Sequence, residues 1–229
     1  NSISNGRNGL VRIYDWDGTN WIQKGSDLVG DNVGDGFGWN VSISGDGLTL
    51  AVSATNSPTT YQGILNEEGY FKVFDWNGTD WVQKGSKITG QSFGDYFGVS
   101  ISLSHDGQRV AVGGDENDVN GTNSGHVQIF DWDGLDWQQI GSDIYGAAVN
   151  DYFGNSVFLS GDGSTVIIGA PQNDDNGNNS GHVRIFGAPS SATCPKPLNI
   201  TIHTAPTIDL GADTTLICDG TSQTIDAGT

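Results

Sequence analysis

The sequence has no methionine, six prolines, two cysteines, and nine basic residues against 27 acidic ones. Each shortage excludes something. A net charge of −18 leaves no cationic surface for phosphate backbones or anionic headgroups, so nucleic acid is not an expected partner. No apolar run approaches the ~20 residues of a membrane-spanning helix, and no charged-then-apolar leader opens the chain, so membrane insertion is not expected either. The missing methionine suggests a processed or excerpted piece of a longer product. There is no GxSxG elbow, HExxH, phosphate loop or cysteine–histidine pairing, and hence no evident nucleophile. The acidity suits a solvated extracellular surface first and the gathering of cations second.

What is present is repetition. "IYDWDGTNWIQKGSDLVG" at 13–30 returns as "VFDWNGTDWVQKGSKITG" at 73–90 and as "IFDWDGLDWQQIGSDIYG" at 129–146. Trp16, Trp76 and Trp132 align at offsets of 60 and 56 residues, and Phe37-Gly38, Phe97-Gly98 and Phe153-Gly154 fall into the same register. So do Asp46-Gly47, Asp106-Gly107 and Asp162-Gly163. A period of this length implies an array of supersecondary units.

Within one period, "GVSISLS" and "QRVAVGG" alternate apolar and polar residues around "HDG", which predicts a β-hairpin. "HVQIFDW" and "LDWQQIG" around an Asp-Gly pair predict a second, with a tight turn of positive φ. Nothing between them has helical periodicity, so the fold class is all-β. Four short strands cannot bury both faces alone, and stacking of neighbours is the remedy. Each tryptophan of the pairs Trp16/Trp21, Trp76/Trp81 and Trp132/Trp137 would bury ~150–250 Å² if covered, worth about 4–6 kcal/mol before entropy. The pairs are expected to be the packing between sheets.

"GDYFGVSISLSHDGQRVAVGG" and "NDYFGNSVFLSGDGSTVIIGAP", followed by "SGHVRIF", resemble the FG-GAP repeat of integrin α-subunit-type β-propellers, over about residues 1–187. The resemblance implies strand A starting at the Phe-Gly, B ending near "VGG" or "IGAP", C as "HVQIFDW" and D as "LDWQQIG". Counted so, thirteen strands make about three four-stranded blades, a partial ring, since closed propellers typically use 4 to 8. Further blades are expected from upstream chain or from a partner chain, because residues 1–9 align with the middle of a B–C loop.

Residues 188–197 read as a linker rich in small residues and proline. Residues 198–229 are similar to the opening of Ig-like modules in exported proteins of the Bacteroidota, here a short β segment. Cys194 and Cys218 match no metal spacing; a disulfide in an exported protein is the preferred reading and two free thiols the alternative.

Alternating strands put the minimal A–B and C–D turns on one face and the longer, Asp/Asn/Gly-rich B–C and D–A loops on the other, where binding is expected. Asp118, Asn120 and Thr122, repeated as Asp174, Asn176 and Asn178, carry alternating oxygens that suit Ca2+; Asx-turn stabilisation of the loops is the plainer alternative. The resemblance does not support the cation, because the family's calcium loop belongs in the A–B turn, which is short here. Asp35, Asp95 and Asp151 precede each Phe-Gly, and their periodic recurrence favours capping of backbone amides over ligand contact. Trp39 is unrepeated: core packing is its plainer role, stacking on a sugar the alternative. Glu67 and Glu68 read as a solvated tip, and His126 and His182 as strand-edge packing. The expectation is a non-catalytic extracellular or cell-surface module that binds a protein or glycan, with a glycan-active propeller as the rival.

Overall fold

The computed structural model describes residues 8–32, 34–55 and 68–188. All lie in the first of the two units into which the chain divides, Asn1–Pro189. The expected linker beyond Ala188, the Ig-like segment and the Cys194/Cys218 pair fall outside the described residues.

The described chain is all-β. The central sheet is formed by β10 (Ser100–Leu103), β11 (Arg109–Gly114), β12 (His126–Trp132) and β13 (Trp137–Gln139) in sequence order, every pair antiparallel. Its forerunner repeats the order with β5 (Val41–Ile43), β6 (Thr49–Ala54), β7 (Tyr70–Trp76) and β8 (Trp81–Gln83). Its successor has three strands, β15 (Ser156–Leu159), β16 (Thr165–Ala170) and β17 (His182–Gly187). Upstream of all three lie β1 (Leu10–Val11), β2 (Tyr14–Trp16), β3 (Trp21–Gln23) and β4 (Leu28–Val29).

Seventeen strands stand where thirteen were expected. The fourth strand of each blade breaks after three residues and resumes as β4, β9 (Ile88–Thr89) or β14 (Ile144–Tyr145), pairing again with the start of the third strand; the third strand of the first blade is also interrupted, as β1 and β2. The break falls at Gly25, Gly85 and Gly141, all with positive φ. A Cβ at Gly85 would stand 2.7 Å from Trp132 Cζ3 and from Asp136 Oδ1, so the next blade presses on the bare backbone there.

The C–D turn also differs from the expected Asp-Gly pair. Trp132 pairs with Trp137, leaving a four-residue loop in which Asp133 Oδ1 accepts the amides of Leu135 (2.7 Å) and Asp136 (2.8 Å), and only Gly134 has positive φ. Asp17 and Asn77 do the same work in the other hairpins. In the A–B turns a serine hydroxyl donates to the turn aspartate, as Ser160 does to Asp162 at 2.5 Å, and this bond is the main reason the Asp162 carboxyl is lowered to about 2.

Successive sheets bury their faces on each other, and each cluster draws on two blades. Ala51, Phe71 and Val73 of one pack with Phe97, Val110, Val112 and Trp137 of the next. Leu28 packs with Phe37, Val52 and Trp81, and Ala111 and Ile129 pack with Phe153, Leu159 and Ile168. Along β11, Val110 and Val112 thus face one neighbour and Ala111 the other. Trp81 and Trp137 are buried, and their indole N–H groups donate to the Lys24 and Lys84 carbonyls of the preceding blade, each at 3.0 Å. Trp16 and Trp21 depart from the expectation: they are exposed, because no described sheet lies on that side.

Candidate functional site

The loop face is built from backbone upward. In the third blade the B–C loop, residues 115–125, runs alongside the following D–A loop, residues 146–153. Asn150 N donates to Thr122 O (2.8 Å), Tyr152 N to Asn123 O (3.1 Å) and Phe153 N to Ser124 O (3.1 Å). Asn123, Asn150 and Tyr152 all take positive φ, and Asn123 Nδ2 donates to the Tyr152 hydroxyl at 3.1 Å. Tyr96 repeats the strained φ of Tyr152 one blade earlier. A bulky residue persists at such an angle only where its surroundings dictate it, so the two loops form one rigid ridge.

One of the three aspartates stands in each successive D–A loop. Asp35 accepts the Tyr70 hydroxyl (2.5 Å) and the amides of Phe37 and Asn32 (each 3.1 Å). Asp95 accepts Asn117 Nδ2 at 2.8 Å, and Asp151 accepts Ala148 N and Asn173 Nδ2, each at 3.1 Å. All three are buried, so their oxygens serve the loops. Burial pushes the Asp95 and Asp115 carboxyls up; hydrogen bonds from Asn117 and Asn155 pull the other way. Sequence reasoning missed Asn117 and Asn173, although their recurrence in "DENDVNG" and "PQNDDNG" was available as a signal.

The six candidate calcium ligands are spread over two loops and exposed. Asp118 Oδ1 accepts Asn123 N (2.8 Å), Asp174 Oδ1 accepts Asn179 N (2.6 Å), and Asn120 Nδ2 donates to Gly146 O (3.0 Å). Thr122 contributes its backbone carbonyl to the ridge, while Asn176 and Asn178 face solvent. Among the described residues no three His, Cys, Asp or Glu side chains gather as a metal site. Ca2+ takes six to eight oxygens and favours carboxylates; here each loop offers one of the paired aspartates, already bonded to an amide, so the donor set does not fit the ion.

Trp39 is 55% exposed, a correction to core packing: it stands just ahead of β5, and the strands described upstream, β1–β4, pack on Phe37, Val52 and Trp81 and leave this side of the blade uncovered. His126 is another correction, since it is wholly buried against Phe97 and Tyr145 and not at an edge, and desolvation lowers its pKa. Glu67 lies outside the described residues. The ridges expose apolar side chains singly: Phe93, Val119 and Val149. Between the first two blades Lys72, largely buried, and Lys87 both pair with Asp31 and lie over the Tyr70 ring.

No curated protein matches the sequence. Among solved structures the chain is similar to hydrazine synthase of Kuenenia stuttgartiensis, with 15% identity over 78% of this chain and 40% of that one, at a TM-score of 0.46. It is similar to a protein of Bacteroides uniformis described as a candidate 6-phosphogluconolactonase, with 13% identity over 78% of this chain and 43% of that one, at 0.50. It is also similar to the periplasmic gluconolactonase of Pseudomonas aeruginosa, with 17% identity over 71% and 44%, at 0.44. The chain spans about two-fifths of the length of these structures. At such identities the likeness speaks to fold alone, and that fold is of the propeller type. The FG-GAP repeat itself matches residues 87–130 and 145–186, so the chain carries FG-GAP repeats stacked as blades.

Proposed function

We propose that this chain is a non-catalytic interaction or scaffold module of a larger secreted or cell-surface protein, and that it binds a protein or glycan through its B–C and D–A loops. The observation that carries the reading is the laced ridge. Three backbone hydrogen bonds between residues 122–124 and 150–153 fix a surface that exposes Val119 and Val149. A preformed surface loses little conformational entropy on binding. The Asp95 and Asp151 carboxylates in these loops accept from Asn117, Ala148 and Asn173, which supports a structural role for them. The repeats' association with extracellular proteins supports the location.

The test presents the chain to a panel of matrix proteins and a glycan array. At least one partner should be retained and lost on Val119→Asp/Val149→Asp, with the far-UV spectrum unchanged. Silence across the panel, together with turnover of lactone or glycoside substrates, overturns the reading.

A second reading has its own observation. Trp39 exposes an indole of the kind that stacks on sugar rings. Retention of a glycan that Trp39→Ala abolishes, while Val119→Asp/Val149→Asp spares it, favours this alternative.

A further inference from the structure

Each blade receives its successor through a Phe-Gly step. Gly9, Gly69 and Gly125 begin the third strands of successive blades, and against them lie Phe37, Phe97 and Phe153 of the blade that follows. Gly9 and Gly125 form parallel bridges with Phe37 and Phe153, and a side chain on Gly69 would collide with the Phe97 carbonyl. The three rings are buried, at 3%, 0% and 0% exposure. The glycine after each ring is received too. Ser53 Oγ donates to Gly98 O at 2.6 Å, and Ser100 Oγ donates to Gly154 O at 2.7 Å. In the second case the adjoining strand offers Gly113, where any Cβ would collide with that carbonyl.

The last sheet repeats every part of this seat. Gly181 stands where Gly125 does, Ser156 where Ser100 does, Gly169 where Gly113 does, and Val183 where Val127 does. Between them is an open cavity of about 530 Å³. Val127 is fully buried and Val183 is 65% exposed.

We propose that this cavity is a receptor for a Phe-Gly step at the head of an extended strand, supplied by an FG-type repeat outside these 229 residues. The ring covers Val183, and the glycine carbonyl accepts from Ser156 Oγ above Gly169. A second copy of this chain is the wrong occupant. All nine phenylalanines lie among the described residues: Phe37, Phe97 and Phe153 are already seated, Phe186 is packed inside its own sheet against Phe153, and the exposed Phe93-Gly94 step lies within a turn and not at the head of a strand. Backbone bonds would give the affinity and the ring the specificity, as in other strand-addition sites.

The probe is the chain's own segment GDYFGVSISL (residues 94–103), capped at both ends and titrated into the full chain under 15N-edited NMR. Shifts should cluster at Ser156, Gly169, Gly181 and His182, and should vanish for GDYAGVSISL. Gly169→Ala puts a Cβ in the carbonyl's place; φ there is not in the left-handed region and the nearest atom is the tip of Ser156, so the fold should hold and binding weaken at least about tenfold. Ser156→Ala, at an exposed position, should weaken it by about three- to tenfold and carries the test should Gly169→Ala not fold. No shifts at millimolar peptide, equal shifts with GDYAGVSISL, or binding untouched by either variant overturns the proposal. The loop-face reading is independent, since Val119 and Val149 lie outside this seat.

Discussion

The hairpins β2–β3 and β12–β13 share a sequence, a turn and an internal geometry, and differ in what lies beside them. Their tryptophan pairs sit at ring-centroid distances of 5.4 and 5.5 Å and interplanar angles of 58° and 56°. Yet Trp21 is 66% exposed and Trp137 is 3% exposed. The later hairpin meets the preceding blade: Lys84 O accepts its indole N–H, Lys84 Nζ lies 5.3 Å from the Trp132 ring centroid, and Asp136 accepts the amide and hydroxyl of Ser86, each at 2.8 Å. The repeated segment therefore works as plug and socket at once. Its Trp-x4-Trp end enters the blade before it, and its Lys-Gly-Ser end receives the blade after it. The first copy has its socket filled by Trp76, Asp80 and Trp81 while its own plug has no described neighbour.

The largest test of this contrast truncates the indoles. Trp137→Ala should cost about 3–5 kcal/mol in urea unfolding, as for other buried aromatics, whereas Trp21→Ala should stay within about 0.5 kcal/mol. Equal costs would break the comparison.

A smaller effect is expected at the socket's cation. Lys84 is 8% exposed at its side chain, lies over both indoles of the next blade and pairs with Asp75 at 3.4 Å. Lys84→Met should lose about 1 kcal/mol. The third socket has Ile140 in that position and Ala188 where the plug's first tryptophan would be, so Ile140→Lys should gain nothing.

The smallest effects are those of pH. Backbone and hydroxyl bonds from Ser86 hold the Asp136 carboxyl below its ordinary 3.8. A depressed carboxylate contributes stability that is present above the unfolded value and lost as pH falls through the folded one. Asp136→Asn should therefore lower the melting temperature at pH 7, with the difference closing below about pH 4. Asn20→Asp, the matching change in the uncovered first hairpin, should do nothing at any pH. Asp95 has the opposite sign. Burial raises its folded value, so the ionised form costs stability at neutral pH, and the cost disappears as pH falls to the unfolded value. Asp95→Asn should be more stable than the parent at pH 7 and indistinguishable from it near pH 3. A parallel response of Asp136→Asn and Asp95→Asn would show that the two carboxylates are not separated by plug contact and burial as described.

Much of the fold was legible in the residues. The strand pairs and the repeat boundaries follow from alternation and turn chemistry, whereas the register of Trp16 on Trp21 and Trp132 on Trp137 does not: a two-residue Asp-Gly turn would have set Trp132 opposite Leu135. Three of the four extra strands were not legible, because a glycine inside "QKGSD" or "QKGSK" reads as a turn end until the next blade's indole is seen against it; the fourth comes from the interruption between β1 and β2. The loop face was legible as a place and less so as chemistry. Alternating Asp and Asn side chains look like cation ligands in one dimension. In space Asp118 and Asp174 reach their own loop amides at Asn123 and Asn179, and the buried aspartates find Asn117 and Asn173. Trp39 was misread toward the core because nothing in its own residues says whether a neighbour stands beside the strand.

The sequence by itself determined the unit: a serine or aspartate hydrogen-bonds a turn amide two to five residues away, and two indoles tilt on each other across one hairpin, whatever surrounds them. Only the tertiary structure decided which units are buried. β10–β12 are almost entirely buried, with only Arg109 and the last two residues of β12 partly exposed, whereas β17 alternates between half-covered and exposed, although "HVQIFDW" and "HVRIFGA" differ little. The reason is that burial of an apolar face depends on a second surface some fifty residues away, and the alternating pattern within a strand is the same with or without it.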